Sequence, residues 1–280
     1  MQYIENSAQN FFRYFKETNE GRKLKEKIRW DRYKPDDITA KEFNSTLGSD
    51  INNFNHMPLS RGLAKVFCEH NNYDSNKTHI LLDAALLHDI GEAKVGDTID
   101  DQKNKNKEKK EKEAFDWFLN KYTKKFKIEQ PIVEYLKFLK TEIIFNKDTE
   151  LGKDFDCFES LGYLRTSLIV FEKSKSKKID DNFKTNLHWL TLNVIHRNLC
   201  SIIKNAEIYP AAKEYLKNNK STINEIFDTF DIDKLSQLYL TLKNEQTKTD
   251  TDVTRMDKTA KIQYQKAKEE WPKFLQYDQK

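Results

Sequence analysis

An all-α fold follows from three features of this 280-residue sequence. Glycine and proline are scarce, at seven and five residues, which leaves few of the turns an all-β chain needs. Apolar residues recur at three- and four-residue spacing through most of the chain, the period of amphipathic helices. The intervening positions are rich in Lys and Glu, good helix formers for exposed faces.

Taken in order, residues 3–28 predict one amphipathic helix with Phe11, Phe12, Tyr14 and Phe15 at its centre and a basic end from Arg22 to Lys27. Pro35 and the aspartates after it break that pattern. Residues 36–54 are polar and predict a long loop holding one short helix over 38–46; loops of this length are often functional. The next helix starts near Asn55 as N-cap, tolerates Pro58 in its first turn and runs to about His70, with Leu59, Leu63, Val66 and Phe67 on its apolar face.

The stretch HILLDAALLHDIGEAKVGD, His79 to Asp97, organises the chain. Its helix, over 78–90, starts apolar almost all round, with no polar face beyond Asp83 from Ile80 to Leu87, which marks it as buried. His88, Asp89 and Glu92 close it. Three such groups are costly to bury unpaired, so the chain surfaces there or supplies a compensating cation. On a helix His88 and Glu92 are i,i+4 and Asp89 and Glu92 are i,i+3, so they converge on one side. A blander reading is also open: His88 suits a helix C-terminus, and Gly91 would serve as its C-cap. Helix lengths bear on the choice. About 22 Å out from residue 56 and about 18 Å back bring His56 level with His88 in an antiparallel hairpin, whereas His79 lies roughly 13 Å away along its own helix.

The run KNKNKEKKEKEAFDWF predicts a solvated helical face leading into Phe115, Trp117 and Phe118. A helix follows Pro131, then a polar turn over 146–153 ending in Gly152. The next helix carries Asp154 and Asp156 in its first turn, where dipole complementation alone would explain them. Residues 183–205 form a core helix whose His188 and His196, eight apart, read as ordinary core or surface histidines rather than a second metal pair. Tyr209-Pro210 ends it. Residues 1–210 are expected to form one domain, with core about 25–210, and 211–280 a Lys-rich helical extension broken by a disordered interval near 245–255.

The formal net charge of +4, from 49 basic and 45 acidic residues, is too balanced to indicate nucleic-acid binding. Cys68, Cys157 and Cys200 show no C-x-x-C and fit buried thiols in a reducing compartment. There is no N-terminal apolar region and no run of eighteen apolar residues, so a soluble cytoplasmic protein with no membrane partner is expected, with homo-oligomerisation left open.

The spaced set of His56, His88-Asp89 and a later helix-borne Asp resembles the HD-domain superfamily of metal-dependent phosphohydrolases. LLHDIGEAKVGD is closest to the form in the HD-type 5′-deoxynucleotidases, with His88, Asp89, Glu92, Gly96 and Asp97 at the family's positions. The resemblance covers about residues 25–210 and implies a helical bundle with His56, His88, Asp89 and Asp156 as metal ligands, Asp154 being the reserve for the last. It also implies Glu92 and Asp97 as catalytic groups, and Arg29-Trp30 as the pair contacting nucleotide. The chain departs from the family in having Asn55 where many relatives place Glu, and in a longer gap between Trp30 and His56.

Two imidazoles and two carboxylates suit one divalent transition ion, Mn²⁺, Co²⁺, Ni²⁺, Zn²⁺ or Fe²⁺, better than Mg²⁺ or Ca²⁺. Glu92 is placed to orient a bound water or take its proton, and Asp97 to assist the leaving group. No G-x-S-x-G, Walker or dinucleotide motif competes with this reading. The expected activity is removal of the 5′-phosphate from (deoxy)nucleoside monophosphates. A dNTP triphosphohydrolase and a phosphodiesterase on cyclic or short oligonucleotides are the alternatives, and a degenerate HD binding module is the non-enzymatic one. Few cations adjoin the motif, which favours monophosphates over triphosphates.

Overall fold

A computed structural model describes residues 1–26, 30, 33–35, 37–47, 52–95, 105–235, 237–238 and 251–277. The described residues are all-α, and no strand occurs among them. Contacts divide the chain into two compact units, Met1–Arg29 with Asp50–Glu159, and Trp30–Ser49 with Ser160–Lys280. Residue 210 is internal to the second unit. None of the described helices is long and apolar enough to cross a membrane.

The first unit opens with α1 (Ser7–Glu17) and α2 (Asn19–Glu26), where the sequence predicted a single helix. Thr18 makes the break. Its backbone is extended, and its Oγ1 accepts the Gly21 N–H as a cap for α2. Gly21 allows the tight turn, since a Cβ there would lie 2.3 Å from the Phe15 carbonyl oxygen. Next come α4 (Asn53–His70), capped by Asn52, whose side chain accepts the Asn55 N–H, and α5 (Ser75–Leu87), capped likewise by Asp74 on Lys77. These two pack as a helical hairpin. The expected face of α4 holds at Phe67, which is buried, but is corrected at Leu59 and Val66, which are half exposed; Met57, Ser60, Ala64 and Cys68 are buried in their place. Burial pushes the Cys68 thiol up to about 11, so it is inert rather than nucleophilic.

Residues 80–87 of α5 are all buried, including Asp83. The unit continues through α6 (Glu92–Val95), α7 (Lys105–Phe126) and α8 (Gln130–Phe138), the last running on as a π-helical turn over Leu139–Ile144 that packs on α5. Helix α9 (Glu150–Ser174) begins four residues earlier than the Asp154-led start expected, so neither Asp154 nor Asp156 lies in its first turn. Gly152 is therefore inside the helix. A Cβ there would lie 1.8 Å from the Asn146 carbonyl oxygen, so the turn folds directly onto the helix start. The first ten residues of α9 belong to this unit.

The second unit contains α3 (Ala40–Leu47), the rest of α9, α10 (Asp181–Asn205), α11 (Pro210–Asn218), α12 (Lys220–Thr229) and α13 (Thr251–Tyr277). Its core gathers around α10, which packs against α11 and α13. The expected disordered interval falls on residues 245–250, outside the described residues, and on 251–255, which are already helical. His188 and His196 serve the core. His188 Nε2 lies 2.9 Å from Ser174 Oγ, and burial, aided by Lys184, pushes its imidazole down to about 4. His196 bridges Asn193 Oδ1 and Gln263 Oε1 at 2.7 and 2.8 Å.

Candidate metal centre

The chain leaves α5 at Leu87 and turns through residues 88–91 before α6 begins at Glu92. His88 keeps helical backbone angles, and its ring Nδ1 lies 2.8 Å from the Ala85 carbonyl oxygen. A carbonyl accepts only, so Nδ1 carries the proton and Nε2 is presented to the cleft. That Nε2 lies 3.2 Å from Asp89 Oδ1 and 3.2 Å from Glu159 Oε1. Burial by itself pushes the imidazole down. The charges of Asp89 and Glu159, with the Asp89 and Ala85 hydrogen bonds, outweigh it and raise His88 to about 9.

Gly91 is not a left-handed cap. A Cβ on it would meet the Glu111 carbonyl oxygen at 2.6 Å, so glycine is required here for α7 to approach the turn. On the facing helix, His56 places its ring 5.1 Å from that of His88, at 74°. The buried Ser60, one turn further along α4, sets its Oγ 3.2 Å from His56 Nε2. Phe155 of α9 packs edge-on against the His88 ring at 5.9 Å.

Among the described residues one group has metal-holding geometry: His56, His88 and Glu159 each offer a ligand atom, all within 4.8 Å of one another. With metal–ligand bonds of about 2.1 Å, neighbouring ligand atoms sit roughly 3–4 Å apart, so the three need close only slightly. The donor set fits a divalent transition ion. Two carboxylates against one buried imidazole edge also leave an excess of negative charge that a cation relieves.

The other expected site residues fall as follows. Asp89 is 8 % and Glu92 6 % exposed, and the Glu92 N–H donates to the Asp89 carbonyl, which ties the two together. Asp156 pairs on the surface with Lys147 rather than with the histidines. The reserve, Asp154, is buried in a structural clasp, accepting the Tyr73 hydroxyl at 2.9 Å and forming an ion pair with Lys77 at 2.8 Å. Trp30 belongs to the second unit, where it packs edge-on against Tyr163 at 6.0 Å. Arg29 and Asp97 lie outside the described residues.

Glu159 was not foreseen from the sequence. The signal available was its spacing: Phe155 and Glu159 are i,i+4, so whatever Phe155 packs against, Glu159 also faces. His56, His88, Asp89, Glu92, Asp156 and Glu159 all lie within one segment that a family model recognises. Residues 52–161 match the HD domain. No curated protein and no solved structure matches the chain. HD domains are typically metal-dependent hydrolases, and the matched segment pairs a His-Asp turn with a second histidine on the facing helix α4.

Proposed function

We propose that the protein is a metal-dependent phosphohydrolase that removes the 5′-phosphate of (deoxy)nucleoside monophosphates. The observation that carries the reading is the His56, His88 and Glu159 cluster inside the HD segment. His56, His88, Asp89 and Glu159 would hold the ion. Asp156 joins them in this proposal: it sits one turn before Glu159 on α9, and its surface pair with Lys147 costs at most about 1 kcal/mol to open. A bound divalent ion supplies an acidified water and a polarised phosphorus centre.

The chain's own residues do the rest. The Ala85 carbonyl holds His88 in the ligating tautomer, and Ser60 restrains the His56 ring. Glu92, buried beside Asp89, is assigned the water proton. Asp97 is assigned the leaving alkoxide, and Arg29 the nucleoside.

The deciding experiment incubates Mn²⁺- or Co²⁺-loaded protein with dAMP and dATP in parallel and identifies the products. Inorganic phosphate from dAMP supports the reading. Inorganic triphosphate from dATP, with dAMP left intact, would replace it with a triphosphohydrolase. Inertness toward both nucleotides despite bound metal would remove nucleotides as substrates.

A further inference from the structure

The lysines of α7 divide into two kinds. In its first half Lys107, Lys109 and Lys112 pair with Glu111, Glu113 and Glu108, a self-neutralised helical face. Asp116 is taken by Lys140. After it, residues 117–127 hold four lysines and no carboxylate.

Among the described residues no carboxylate lies within 4 Å of Lys94, Lys121 or Lys125. Their ammonium groups rest on aromatic rings instead. Lys94 and Lys121 sit 3.8 and 3.6 Å from the centre of the Trp117 ring, and Lys125 lies 5.3 Å from Phe126 and 5.6 Å from Tyr14. Trp117, Lys121 and Lys125 are i, i+4 and i+8, so they form one stripe about 12 Å long. Lys94 extends it to α6, two residues past Glu92, and the half-exposed Phe126 ends it.

We propose that this stripe binds a short stretch of single-stranded nucleic acid. Its three ammonium groups match roughly three backbone phosphates. A surface that alternates cations with aromatic rings fits a polyanion carrying flat bases: the flexible lysine stems swing their ammoniums to phosphates and uncover the rings for stacking. An anionic membrane fits less well. A helix that lies on a bilayer needs a continuous apolar face, and that of α7, Phe115, Phe118, Leu119 and Tyr122, is already buried in the core. The inference does not rest on the metal-centre reading.

The test measures binding of a fluorescein-labelled dT₁₂ by anisotropy across a salt series, with EDTA present so that nothing is cleaved. Wild type is expected to bind with a log–log salt slope of about −2, the value for three phosphate contacts at about 0.7 each. The triple variant Lys94→Ala, Lys121→Ala, Lys125→Ala should lose that slope and bind at least about tenfold more weakly, with its circular dichroism spectrum unchanged. Trp117→Phe, which keeps a ring, should retain binding but lose the accompanying quench of tryptophan fluorescence. Lys109→Ala with Lys110→Ala, in the first half of the helix, should bind as wild type does. No binding by wild type at low salt, an equal loss in the Lys109/Lys110 variant, or capture by phosphatidylglycerol vesicles in preference to dT₁₂ would each overturn the assignment.

Discussion

Asp83 is the one polar residue in the buried stretch 80–87 of α5, and it is buried to 1 % exposure. Tyr135 donates its hydroxyl to Oδ2 at 2.9 Å, and Gln9 Nε2 reaches Oδ1 at 3.2 Å. Burial raises the Asp83 carboxyl from its ordinary 3.8 to about 6, against the opposing pull of the Tyr135 bond and of the Arg61 charge. The folded state thus holds this proton more tightly than the unfolded chain does. Stability from this group is complete below about 3.8 and is lost as the pH rises through about 6. The interval is worth roughly 3 kcal/mol at about 1.36 kcal/mol per pKa unit. Asp83→Asn removes the titration but keeps the shape. Its Oδ1 can accept from Tyr135, and its amide can donate to Gln9 Oε1, which is buried without a partner, once the Gln9 amide turns over. The unfolding free energy of the variant relative to wild type should therefore rise by roughly 3 kcal/mol between about pH 4 and pH 7.5. Parallel urea titrations followed by circular dichroism read this difference, because every other titrating group is common to both proteins. A gap that does not change with pH would refute the reasoning. So would a variant that loses ground as the pH rises, since that would mean the Arg61 charge, not burial, governs the carboxylate.

Three further outcomes are expected. Elemental analysis should find close to one divalent transition metal per wild-type chain and clearly less in Asp89→Ala, Glu159→Gln and Asp156→Asn; full occupancy in any of them would strike that residue from the ligand set. Glu92→Gln should keep its metal yet lose about 10²–10⁴-fold in turnover, and a near-wild-type rate would make Glu92 a structural residue. Gly152→Ala should lower stability by about 1–3 kcal/mol, because its new methyl meets backbone rather than a flexible side chain, and an unchanged melting temperature would show that the 145–149 turn yields freely.

Helix existence was legible from the sequence because it depends on period, and period is local. Helix starts were legible where a capping side chain announced them, though the cap on α4 is Asn52 rather than Asn55, and α9 begins before its aspartates. Faces were harder. Leu59 and Val66 fit an apolar stripe on α4 as well as Met57 and Phe67 do, and only the partner helix decides which side is covered. The break at Thr18 was missed for a similar reason. Threonine in a long amphipathic pattern reads as a tolerated surface residue until its hydroxyl is seen capping the next helix.

The site divides along the same line. His56 and His88 could be matched from helix lengths alone, since each helix end is anchored by the hairpin between them and the rise per residue is constant. The carboxylates of α9 could not, because nothing local distinguishes Asp154, Asp156 and Glu159. Their roles come from three different neighbours. Asp154 meets Tyr73 and Lys77, Asp156 meets Lys147, and Glu159 meets His88. Steps of two and three residues along a helix turn a side chain by about 200° and 300°, so these acids cannot all share one environment. The buried clasp at Asp154 anchors α9 to the loop between α4 and α5 and to the start of α5, and that anchoring brings Glu159 to His88. Asp156, held only by an exposed lysine, is the one acid of the three free to change partner at small cost. An acid in a buried clasp, an acid in a surface ion pair and an acid facing His88 thus occupy six consecutive residues, and a metal titration of Asp156→Asn against Glu159→Gln separates the last two.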